Sequence, residues 1–157
     1  MGAIILAVAG IAGTLLASIV TGLLQHRSAA RVAAEARTER LYRDQLEAAT
    51  ALAKAATEHR IEMWRRGDAV LKGDPADQIR ELQTRTHATR GAVTLPFITC
   101  KLLITDPAVR QAAVTMVSKA YAMRDAYDSA AALTEARDVA MRANDDFVDT
   151  AAAFLAR

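Results

Sequence analysis

Six side chains in the middle of the sequence have the types that do chemistry: His59 and Arg60, His87 and Arg90, Arg124 and Asp125. Each pair sits beside an apolar run. Imidazole changes charge near neutral pH, and guanidinium is a fixed cation whose fork of donors fits carboxylate or phosphate. Helices packed antiparallel would gather the three pairs into one polar layer. Two uses of that layer stay open. One is a structural network that fixes helix register. The other is a small-ligand or proton-responsive site built on His59 and His87.

Other chemistry has less to stand on. The histidines His26, His59 and His87 are far apart, and no HxxxH or CxxC spacing occurs, which argues against a metal site. Neither a Gly-rich phosphate loop nor a GxSxG elbow is present. The acidic residues Asp125, Glu135, Asp138, Asp145, Asp146 and Asp149 would need inward-facing ExxH pairs on separate helices to hold two metals. No such pair exists, so they read as a solvated face. Cys100 is the lone cysteine, set in TLPFITCKLLI, where a thiol is inert core. It allows no disulfide within these residues and suits a reducing compartment. The expectation is a protein that is not an enzyme and holds no cofactor.

The elements that must position these residues read as helices throughout. From Gln25 to Arg66 there is neither Gly nor Pro, and strong helix formers dominate. One helix from residue 3 to 71 would be about 100 Å long. Ala49, Ala53, Ala56, Arg60, Met63, Gly67 and Val70 follow a 4-3 spacing, a packing seam of mostly small side chains, widened by Leu41, Leu52 and Trp64. Gly73-Asp74-Pro75 is the clearest turn, with Gly at C′, Asp74 as N-cap and Pro opening the next helix. That second helix runs over 75–103 with a kink near Pro96. Thr105-Asp106-Pro107 starts a third, over 107–128. A break between Asp128 and Thr134 then leads into a last helix over 134–156. There is no strand pattern.

The segment before this bundle is of another kind. Ala3 to Leu24 is a run of 22 residues without a charge. As a helix it reaches roughly 33 Å, about the thickness of a bilayer core. A cleaved signal peptide would carry a basic n-region and a shorter apolar core. The first basic residue here, Arg27, follows the run, which favours an uncleaved anchor over 1–24. Past it come Arg31, Arg37, Arg40 and Arg43 against Glu35 and Glu39. The positive-inside rule then puts 25–157 in the cytoplasm and the N-terminus outside, with these arginines against anionic lipid head groups. Within the run, Ala9, Gly13, Ala17 and Thr21 recur every four residues, as do Gly10, Thr14, Ser18 and Gly22. Stripes of small residues let helices pack closely in lipid, so a homo-oligomer is expected. Gly, Ala and Thr are also simply common in such spans.

Hydrophobic residues make up 52% of the chain and aromatics 4%, with alanine the largest single share of the apolar content. That composition favours thin, closely packed helices over a bulky core. A net charge of +2 gives no polyanion-binding signature, so direct nucleic-acid binding is not expected.

LQHRSAA (24–30), EHRIEMW (58–64), THATRGAVTLPF (86–97) and YAMRDA (121–126) carry a resemblance to actinobacterial KilB-like small membrane proteins. It extends over most of the chain and includes no catalytic motif. It implies association with plasmid transfer or intramycelial spread at the cytoplasmic membrane; a protein partner at the membrane is a separate expectation. The architecture expected is all-α: a single transmembrane helix continuing into a long helix packed in an antiparallel cytoplasmic bundle. The function expected is a non-enzymatic scaffold. Two alternatives stay beside it, a membrane-perturbing holin- or toxin-like factor and a helical-bundle sensor.

Overall fold

A computed structural model describes the backbone from Gly2 to Arg157 and the side chains from Arg31 onward. The uncharged run and its stripe (Ala9, Gly10, Gly13, Thr14, Ala17, Ser18, Thr21, Gly22), together with His26 and Arg27, lie outside the described side chains. No helix among the described residues is long and apolar enough to cross a membrane. Four α-helices follow in order: α1 Gly2–Lys72, α2 Ala76–Leu103, α3 Pro107–Ala122 and α4 Ala130–Leu155, with a 3₁₀ turn, Met123–Ala126, between α3 and α4. Among the described residues there is no strand.

The chain divides into two units, Met1–Leu41 and Tyr42–Arg157. In the first, the described side chains from Arg31 to Leu41, including Arg31, Arg37 and Arg40, are almost all exposed. The second is a four-helix bundle made from the last part of α1 with α2, α3 and α4.

Local signals explain where the helices stop. Gly73 takes φ 71°, the left-handed region that glycine enters without steric cost. Asp74 N–H donates to Ala69 O at 3.0 Å and Gly73 N–H to Val70 O at 3.2 Å, the paired bonds of a Schellman cap. The N-cap of α2 is Pro75, whose extended ψ of 139° makes it the half-in residue. Asp74 does not cap; its carboxylate accepts from Gln78 Nε2 at 2.9 Å. α2 stays helical through Pro96. The carbonyl that proline leaves without a donor belongs to Ala92, an exposed residue. Asp106 caps α3, accepting from Ala108 N at 2.9 Å and Val109 N at 3.1 Å, with Pro107 in the first turn. Arg110 turns back to donate to Ile104 O at 2.8 Å and Lys101 O at 2.6 Å, filling acceptors at the end of α2. α3 ends at Ala122, well before 128, and α4 starts at Ala130, before 134. Ser129 sets that start by accepting from Ala132 N at 3.1 Å.

Neighbouring helices of the bundle run antiparallel. Gln45 Nε2 donates to Leu103 O near one end of the α1–α2 pair, while His59 meets Thr89 farther along. Thr57 bonds Asn144, and Trp64 meets Arg137 two turns earlier in α4. The larger core cluster joins Leu52, Val93, Cys100, Val109, Met116 and Phe147, and alanines fill the space between them. A smaller one holds Met63, Met123, Leu133 and Ala140. Along α1, Ala56 belongs to the first cluster and Met63 to the second, and the buried His59 lies between them.

Candidate functional site

On α1, positions 59, 63 and 66 are one and two turns apart, so His59, Met63 and Arg66 share a face. That face meets Gln83, Thr86, His87 and Arg90 of α2, Tyr121 of α3 and Arg124 of the 3₁₀ turn around a cleft of about 180 Å³. His59 forms its floor and is only 2% exposed. The imidazole Nδ1 lies 3.0 Å from Thr89 Oγ1. That hydroxyl donates its own proton to Arg85 O at 3.1 Å or Thr86 O at 3.2 Å, so towards the ring it is an acceptor. The bond network therefore assigns the proton to Nδ1 and leaves Nε2 unprotonated. Burial, and then the Arg90 cation, lower the His59 pKa from 6.5 to about 4, so the ring is neutral at pH 7.

Two tyrosines support the cations of the cleft. The Tyr121 ring meets His59 edge-on, with centroids 5.1 Å apart, and carries the Arg90 guanidinium 4.5 Å from its own centroid. The Tyr127 hydroxyl donates to Met63 O at 3.0 Å, and its ring carries Arg66 at 5.8 Å. Burial pushes both phenols up, opposed by Arg90 for Tyr121 and by Arg66 for Tyr127. Arg66 Nε is buried with no hydrogen-bond partner.

Of the six expected layer residues, His59, His87, Arg90 and Arg124 thus meet in one cleft. Asp125 lies at its edge, exposed, with its Oδ1 3.1 Å from Arg124 Nε. Arg60 does not join them. It lines a separate recess of about 190 Å³ with Ile61, Trp64, Arg65 and Arg137, where the Arg137 guanidinium stands 4.9 Å from the Trp64 ring centre. Burial lowers the Arg60 pKa, Arg137 adds to the fall, and Asp145 opposes it. Adjacent helix positions point about 100° apart, so His59 and Arg60 cannot serve one site. The sequence reading missed Arg66, Tyr121 and Tyr127. The 59-63-66 spacing was the available signal for Arg66.

The cleft is rich in cations and donors, and among the described residues no carboxylate lines it. It offers no activated nucleophile, and its buried base is held neutral. No cluster of His, Cys, Asp or Glu able to hold a metal gathers among the described residues. Cys100 is buried away from the cleft, and burial raises its thiol pKa against a smaller pull from Arg110.

No solved structure matches this chain. Protein KilB of Streptomyces lividans is 38% identical over 140 residues, which is 89% of this chain and 90% of that protein. The family model described as KilB plasmid transfer protein matches residues 46–155, which takes in nearly the whole bundle. The chain belongs to the KilB plasmid transfer protein family.

Proposed function

We propose that the protein is a non-enzymatic, membrane-anchored accessory of plasmid transfer. In this reading residues 3–24 cross the cytoplasmic membrane once with the N-terminus outside. The bundle works on the cytoplasmic side, and copies associate through the stripe around Gly13. The match of the KilB plasmid transfer model to residues 46–155 carries the transfer role. The membrane placement rests on 22 consecutive uncharged residues followed by an arginine-rich stretch. A cleft with cations and no activated nucleophile favours a protein that binds and assembles over one that makes or breaks bonds.

The test is a plasmid-bearing donor whose own copy is deleted. Transfer to recipients should fall, and a wild-type copy should restore it. A cytoplasm-only reporter fused after Arg157 should be active, and crosslinked oligomer should drop in Gly13→Ile but not in Ile11→Leu. Undiminished transfer after deletion would remove the role; activity from a periplasm-only reporter would reverse the topology.

A further inference from the structure

Three exposed arginines of α1 and α2 have carboxylate partners one turn away, whereas Arg60 and Arg137, in the other recess, have no ion pair among the described residues. Arg65 pairs with Glu62, Arg80 with Asp77 and Arg85 with Glu81. Arg66 and Arg90 have no ion pair among the described residues, although both line a concave site. Each instead lies over a tyrosine ring, Arg66 at 5.8 Å from the Tyr127 centroid and Arg90 at 4.5 Å from that of Tyr121. A cation–π contact is made by charge and not by a conventional hydrogen bond, so it uses up none of the guanidinium's N–H···acceptor capacity. One such donor, Arg66 Nε–H, is already out of water with nothing to bond. A buried charged donor left without an acceptor is costly, and such groups as a rule have a partner. Arg124, paired with the exposed Asp125, stands at the mouth, and His87 adds another ring.

We propose that this cleft binds a small oxyanion of the phosphate type, free or as the terminal group of a small molecule. Guanidinium edges are the donors that fit tetrahedral oxyanions in bidentate fashion. The volume of about 180 Å³ equals about six waters, enough for one phosphate group and its residual hydration. Duplex DNA would instead need a basic surface extending beyond a concave pocket of this size. The neutral His59 floor adds no competing charge, and Tyr121 and Tyr127 keep two of the arginines in place before the ligand arrives. The inference stands on the cleft alone and is independent of the role in plasmid transfer.

The test uses the full chain purified in detergent and titrated with inorganic phosphate or a nucleoside monophosphate, against chloride at matched ionic strength. Calorimetry should give saturable binding that chloride does not reproduce. Arg66→Gln and Arg90→Gln should each weaken it about tenfold or more, while Arg80→Gln, an exposed paired arginine, should not. Arg90→Lys keeps the charge without the fork and should fall between. If the glutamine variants fail to fold, the histidine ring signals of the wild type decide, because phosphate must shift those of His59 and His87. Tighter binding of either arm names the source, free phosphate or a phosphorylated small molecule. Absence of a saturable response, a response equal to that of chloride, or one untouched by both arginine variants overturns the proposal. So does arginine-dependent binding of duplex DNA without response to either small phosphate.

Discussion

Two glycines inside helices should respond in opposite directions to the same substitution. In an exposed helix interior, Gly→Ala stabilises by about 1 kcal/mol because alanine loses less backbone entropy on folding. Gly91 in α2 is exposed, and a Cβ built there meets nothing within 4 Å. Gly91→Ala should therefore stabilise by about that amount. Gly67 in α1 has the same propensity term, but its Cβ would lie 2.7 Å from Tyr127 Cε1 and 2.8 Å from Leu133 Cδ2. Those contacts are too short for carbon, and the ring cannot swing away without giving up the Tyr127 hydroxyl bond to Met63 O. Overpacking typically costs about 1–3 kcal/mol and the lost bond about 1 more. The clash outweighs the propensity gain, leaving Gly67→Ala less stable by roughly 1–3 kcal/mol. Thermal unfolding followed by helical circular dichroism reads both, at a few degrees per kcal/mol. Gly91→Ala should melt higher than wild type and Gly67→Ala lower. Equal upward shifts would mean that the Tyr127 ring yields freely and that Gly67 is not there to admit it.

Two further perturbations test the bundle. His59 has a folded pKa of about 4 against 6.5 unfolded, so between those values the unfolded chain takes up a proton that the folded one refuses. Its contribution to stability is complete above pH 6.5 and is lost as pH falls to about 4, up to about 3 kcal/mol. Urea titrations from pH 7 to 4.5 should show a flatter stability profile for His59→Gln than for wild type, and parallel profiles would refute a buried neutral ring. Asp106→Ala removes both cap bonds of α3 and should lower the urea midpoint in proportion to about 1 kcal/mol, while Asp77→Ala, in an exposed pair on α2, should change it little.

The legible parts of this fold were those with strong local chemistry. Gly73 with Pro75 and Asp106 with Pro107 combine a conformational requirement with a cap, and both helix junctions fall there. The junction between α3 and α4 has neither Gly nor Pro; a 3₁₀ turn and the single Ser129 hydroxyl define it, too weak a pattern to fix its ends from sequence. The site was half legible for a geometric reason. Polar residues beside apolar runs pointed to His59, His87, Arg90 and Arg124, but neighbours in sequence diverge around a helix, which separates Arg60 from His59. Tyr121 and Tyr127 were hidden because an aromatic ring that holds an arginine looks, in sequence, like one that fills a core.

The alanine seam sets a direction for inherited change. Ala48, Ala49, Ala55, Ala56, Ala113, Ala120, Ala140, Ala143 and Ala151 are all buried. Truncating any of them to glycine removes one methyl and leaves a small void. Most single-base changes that alter an alanine codon's meaning go the other way, to serine, valine, threonine, proline, aspartate or glutamate, and each adds bulk, a ring, a hydroxyl or a charge where helices already touch. A lineage carrying this bundle drifts safely on its exposed faces, whereas at the seam the common mutations are the harmful ones. Suppressors of such a lesion should arise as losses of volume on the facing helix, so second-site reversion would trace which helices touch without any structure.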